Sequence, residues 1–169
     1  MKVIYGRVRL GLSAVMVAGA FLLALVPAPA AQAAATPVHF KFTSSDSFTD
    51  TETCGFPIAL SFQDHGVVTV FFDAQGNPQR ATVETNTVGT NSANGITLRE
   101  TDHYVDFFNI AGYDKQVGLP IHIQDGGVVI RDAGYLLFNP DGSVAVIHGP
   151  HPQLEGDPAA IAAYCAALS

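Results

Sequence analysis

The chain has 169 residues, with 15 Asp and Glu, 8 Lys and Arg, six His, two Cys and no Trp. Three bases, Lys2, Arg7 and Arg9, precede an apolar run from Leu10 to Val26. The rest of the chain therefore carries five bases against all fifteen acids, a net −10 with His neutral. That balance repels phosphate backbones and anionic lipid headgroups, which excludes nucleic acid as a partner and suits a soluble exported domain.

The positive start, the apolar run and the small residues after Pro27-Ala28-Pro29 form the three regions of an export signal. Ala31-Gln32-Ala33 offers small side chains at the −3 and −1 positions, so residues 1–33 are expected to be a cleaved signal peptide. A retained anchor of about 17 to 20 apolar residues would just span a bilayer. The small-residue site directly after the run favours cleavage, and no Cys stands there for lipid attachment. One domain, 34–169, is expected outside the cell, with no membrane association after cleavage. In that oxidising setting Cys54 and Cys165 most simply close one disulfide across 111 residues.

Turn signals punctuate the domain at Asp64-His65-Gly66, Gln75-Gly76-Asn77-Pro78, Asn94-Gly95, Ala111-Gly112-Tyr113-Asp114, Asp125-Gly126-Gly127 and Asn139-Pro140-Asp141-Gly142. Segments rich in Val, Ile, Phe and Thr lie between them and predict about eight strands. In chain order these are Val38–Ser47, Phe56–Gln63, Val67–Asp73, Gln79–Thr90, Ile96–Ile110, Lys115–Gln124, Val128–Asn139 and Ser143–Gly149. Alternation puts Val38, Phe40 and Phe42 on one face, and likewise Ile58, Leu60 and Phe62. Only Pro158–Leu168 reads as a helix, with Asp157 as N-cap and Pro158 at the first helical position. The predicted fold is all-β: an antiparallel meander, closed as a barrel, plus a short C-terminal helix. A two-sheet sandwich of the same strands is the alternative.

The Ala-rich leader, Cys54-Gly55-Phe56-Pro57, the hairpin Thr90-Asn91-Ser92-Ala93-Asn94-Gly95 and the late Cys in an Ala-rich helix resemble exported actinobacterial proteins of uncharacterised function. These shared features are structural and imply no chemistry. The strand order is more distantly similar to the barrels of lipocalins and of the allene-oxide-cyclase and dirigent group. A chain without Trp lacks the Gly-x-Trp that marks lipocalins.

Three places carry candidate chemistry. His148-Gly149-Pro150-His151 has the look of a metal motif, with His122 or Asp132 as a third ligand. The intervening Gly-Pro bends the chain, so the rings need not converge, and no metal or cofactor is expected. Arg99, Glu100, Asp102, His103 and Asp106 form the densest charged stretch. Alternation places Arg99, Thr101 and His103 on one face and Glu100, Asp102, Tyr104 and Asp106 on the other, without saying which faces inward. Asp132 shares the apolar parity of Val128, Ile130, Leu136 and Phe138, and His148 shares that of Val144 and Val146. An inward Asp132–His148 pair is therefore expected. No Ser-His-Asp spacing, Gly-x-Ser-x-Gly, phosphate loop or calcium loop is present, and no catalytic residue is assigned. The expected function is a secreted binder of a small hydrophobic or amphipathic molecule in the barrel interior, with Asp132, His148, Arg99 and His103 as candidate ligand contacts. A packed interaction module is the alternative, and a cyclase- or isomerase-like enzyme comes third.

Overall fold

The computed structural model describes residues 36–109, 114–125 and 128–169. The expected signal peptide lies outside the described residues, as do the centres of the predicted turns at 110–113 and 126–127. Among the described residues seven strands run in sequence order: β1 (Val38–Asp50), β2 (Ile58–Phe72), β3 (Pro78–Ala93), β4 (Ile96–Asn109), β5 (Asp114–Asp125), β6 (Val128–Phe138) and β7 (Val144–His148). One helix, α1 (Pro158–Ala167), follows. Every neighbouring pair is antiparallel, so the all-β meander with a C-terminal helix stands.

Two expectations change. The turn predicted at Asp64-His65-Gly66 does not form, and strands two and three of the prediction are the single strand β2. Gly66 is there for close approach: a Cβ on it would meet the Phe42 ring at 2.7 Å as well as the Glu84 carbonyl. A strand interior that must lie under a neighbouring ring takes glycine without turning. Closure also differs, because the strands form one open sheet with β1 and β7 at its edges. β7 has only five residues and meets β6 with a register shift, which leaves little backbone to pair with the thirteen residues of β1.

One face of the open sheet carries the core. Ile58, Leu60 and Phe62 of β2 share one buried cluster with Leu98 of β4, Ile121 and Ile123 of β5 and Ile130 of β6. Tyr164 and Leu168 of the C-terminal segment complete it. Helix α1 begins as the sequence implies, with the Asp157 carboxylate accepting the N–H groups of Ala159 at 2.8 Å and Ala160 at 3.4 Å. The Cys54–Cys165 disulfide ties the helix to the β1–β2 connection, with Cα atoms 5.3 Å apart. At the same end Asn94 and Gly95 adopt φ of 51° and 81°, the backbone of a tight hairpin turn. No helix among the described residues is long and apolar enough to cross a membrane.

Candidate functional site

Side-chain parity gives the sheet an inner face, which carries the core, and an outer face. Asp132 is inner, as expected, and only 1 % exposed. His148 is not its partner. Between Phe138↔Val144 and Leu137↔Val146 the register shifts by one residue of β7, so His148 falls opposite Tyr135, exposed on the outer face. Its ring stands edge-on to that of Tyr135, centroids 5.2 Å apart. Past the end of β7 the Ala133 N–H donates to the Pro150 carbonyl at 2.7 Å, which carries the shifted register on to His151 beside Asp132. His151 is itself 1 % exposed. The two Asp132 oxygens accept the backbone N–H groups of Gln153 (3.0 Å) and Leu154 (3.1 Å). Burial pushes the Asp132 carboxyl above its usual range, while those two N–H groups and nearby His151 pull it back. Asp132, through those two backbone N–H groups, and the Ala133–Pro150 bond fasten the segment after β7 onto β6. Gly134 permits the approach: its φ is +138°, and a Cβ there would meet the His148 backbone.

On β4 the structure decides which face is which. Arg99 and His103 are exposed on the outside, so neither reaches the interior, whereas Glu100 (0 %) and Asp102 (6 %) are buried inside. Glu100 accepts the Asn91 side-chain amide at 2.8 Å, and Asn91 in turn accepts the Tyr164 hydroxyl at 2.8 Å. Asp102 accepts the His122 backbone N–H at 2.9 Å, across an irregularity in the β4–β5 pairing.

The most distinctive inner row lies toward the other end of the sheet, away from α1. Six pairings align Phe40, Val68, Val83, Asp106, Gln116, Leu136 and Ile147, one from each strand. In this apolar row the only polar pair is Asp106, which accepts the Gln116 amide at 3.0 Å. Burial pushes the Asp106 pKa up to about 7; the Gln116 bond opposes the shift and Asp114 adds to it. In the next row Tyr104 stands between Thr85 and Gly118. Burial, then the carboxylates of Asp106, Asp64 and Asp102, push its hydroxyl above the usual range. Around this group Phe40, Phe42, Val68, Val70, Phe72 and Phe108 are half-buried while Val83, Leu136 and Phe138 are buried; near α1, Ile58, Leu60, Phe62 and Leu98 are buried and Phe48 and Ile96 are half-buried.

That site was missed in the sequence, although a signal was present. Ile96, Leu98 and Phe108 share the even parity of β4 with Asp106, which marks that parity as inward. Among the described residues no group of three or more His, Cys, Asp or Glu is placed to hold a metal ion. No protein-family model matches the chain, nor does any curated protein or solved structure.

Proposed function

We propose that this protein is an exported carrier of a small amphipathic molecule, held on the inner face of the sheet at the end away from α1. The observation that carries this reading is the contrast between the two ends. Near α1 the inner face carries the packed cluster and the helix, with Phe48 and Ile96 half-buried at its margin. At the far end six apolar side chains keep part of their surface accessible around a half-buried carboxyl, an amide and a phenol. Apolar walls with a few convergent polar groups are the usual composition of a small-molecule site. The polar end of the ligand would be a hydrogen-bond donor such as a hydroxyl or amine, received by Asp106 and the Gln116 carbonyl. Asp132, His148, Arg99 and His103 have no part in that contact.

The test has two readouts. Native mass spectrometry of the protein purified from its own culture medium should show a non-covalent adduct of low mass. The neutral dye N-phenyl-1-naphthylamine should brighten on the stripped protein, and Phe108→Ala and Asp106→Asn should both weaken its binding. Removing the Phe108 ring should cost about tenfold in affinity, the equivalent of roughly 1.4 kcal/mol. Absence of both the adduct and the brightening would reject the carrier and favour an interaction module.

A further inference from the structure

The charges of the sheet are sorted between its faces. Lys41, Arg80, Arg99, Lys115 and Arg131 are all exposed and all have the outer parity. Among strand carboxylates with described side chains, Glu84 alone joins them, and the others share the inner parity of the core. Among the described residues the strands therefore turn no Lys or Arg inward, and the field over the inner face is negative.

That field bears on the far end of the inner face, where Phe108 and its apolar neighbours are half-buried. Successive inner positions of β4 are Asp102, Tyr104 and Asp106, and Asp64 of β2 lies in the row of Asp102 through Thr87 of β3. Asp106, Asp64 and Asp102 all act on the half-buried Tyr104 phenol, and Asp114 acts on Asp106. The hydrogen-bond donors to the two half-buried carboxylates are neutral. Asp106 accepts the Gln116 amide at 3.0 Å, and Asp64 accepts the hydroxyls of Thr87 at 2.6 Å and Ser44 at 3.3 Å. Neutral donors satisfy lone pairs without cancelling the charge, and a carboxylate among apolar groups is costly without a counter-ion. The upward shift of the Asp106 carboxyl reflects that cost.

We infer that the polar end of the carried molecule is a cation, so that the ligand is an alkyl ammonium rather than an alcohol or a fatty acid. The inference rests on the carrier reading and names the charge of its ligand. An ammonium supplies the counter-ion that the inner face lacks. Its N–H groups donate to the Asp106 carboxylate in a charge-assisted bond, and its charge suits the electron-rich face of the Tyr104 ring. An alcohol makes the hydrogen bond and leaves the charge uncompensated. A fatty acid brings a further carboxylate toward Asp64, Asp102 and Asp106, with no Lys or Arg on that face of the sheet to receive it. Carboxylates alone would suit any dissolved cation; the half-buried apolar side chains around Asp106 are what select one with a hydrocarbon tail.

The test is displacement of N-phenyl-1-naphthylamine by three probes of one chain length, dodecylamine, dodecanol and dodecanoate, on the alkaline side of the Asp106 pKa of about 7. Dodecylamine should bind about tenfold more tightly than dodecanol, the gain of a charge-assisted bond over a neutral one, and dodecanoate should bind least. Asp106→Asn should remove the advantage of the amine over the alcohol, and Asp64→Asn should reduce it. Glu84→Gln, which removes a carboxylate from the outer face, should leave the advantage intact. The amine-to-alcohol ratio is the readout, and calorimetric titration of the two probes gives it for any variant that no longer holds the dye. Dodecanol or dodecanoate binding as tightly as dodecylamine overturns the inference and leaves the carrier standing. So does an amine advantage that survives Asp106→Asn. A protein that binds neither the dye nor any of the three probes rejects the carrier itself, and the inference with it.

Discussion

A carboxylate as deeply buried as Asp132 needs donors on both oxygens, and here they come from the backbone of a loop. Hydrogen bonds to a charged acceptor contribute about 1.5–3 kcal/mol each, and losing the acceptor leaves two amides without it. Asp132→Ala is therefore expected to lower stability by about 3 kcal/mol and to release the 149–157 segment. His148→Ala, an exposed change on the outer face, should stay within about 0.5 kcal/mol. Urea denaturation of the two variants separates the observed arrangement from an Asp132–His148 pair, for which the losses would be similar. That Asp132 faces inward was legible from the parity of Ile130, Leu136 and Phe138. The identity of its neighbour was not, because counting outward from the turn assumes an unbroken ladder. One extra residue in β7 and three more positions of chain substitute His151 for His148.

At the scale of elements, the strands were readable wherever one face is apolar and the other polar, as along Ile58, Leu60 and Phe62. Long strands with internal glycines were harder. Asp64-His65-Gly66 has the composition of a turn, and only the close approach of Phe42 shows why the glycine sits mid-strand. Closure was beyond the sequence altogether, since it depends on the length and edge of the last strand rather than on any residue type. The two cysteines, by contrast, sufficed to predict the link between α1 and the β1–β2 connection. That link fixes the packed end of the sheet, where Tyr164 and Leu168 cap the core. In the chain-entropy view, closing a loop of this size contributes at most about 4.7 kcal/mol, by restricting the unfolded chain. Cys54→Ser and Cys165→Ser should lower the melting temperature by similar amounts, because each removes the same cross-link. Unequal losses would show that one side chain contributes chiefly through packing, and the double variant would then fall further than either single change.

Across the whole molecule, sorting cations outward and carboxylates inward couples stability to pH in an unusual direction. Most acid-sensitive proteins lose stability when paired carboxylates are protonated. Asp106 works the other way, since its hydrogen-bond partner is a neutral amide and its walls are apolar. Its folded pKa of about 7 lies above the ordinary 3.8, so the native state prefers the protonated form. The associated stability is fully present below about pH 4 and is lost as pH rises through 7. A shift of this size corresponds to about 4 kcal/mol, which partial contact with solvent reduces toward 2–3 kcal/mol. Asp106→Asn keeps an acceptor for Gln116 and cannot ionise. Its stability should match that of the parent near pH 4 and exceed it by about 2–3 kcal/mol at pH 8. Denaturant titrations of the two proteins across that range decide the matter, and parallel curves would mean that the Asp106 carboxyl is hydrated in the native state. If the difference opens as expected, the native chain carries an avoidable cost at neutral pH. A cost of that kind is characteristic of a group kept for binding rather than for folding.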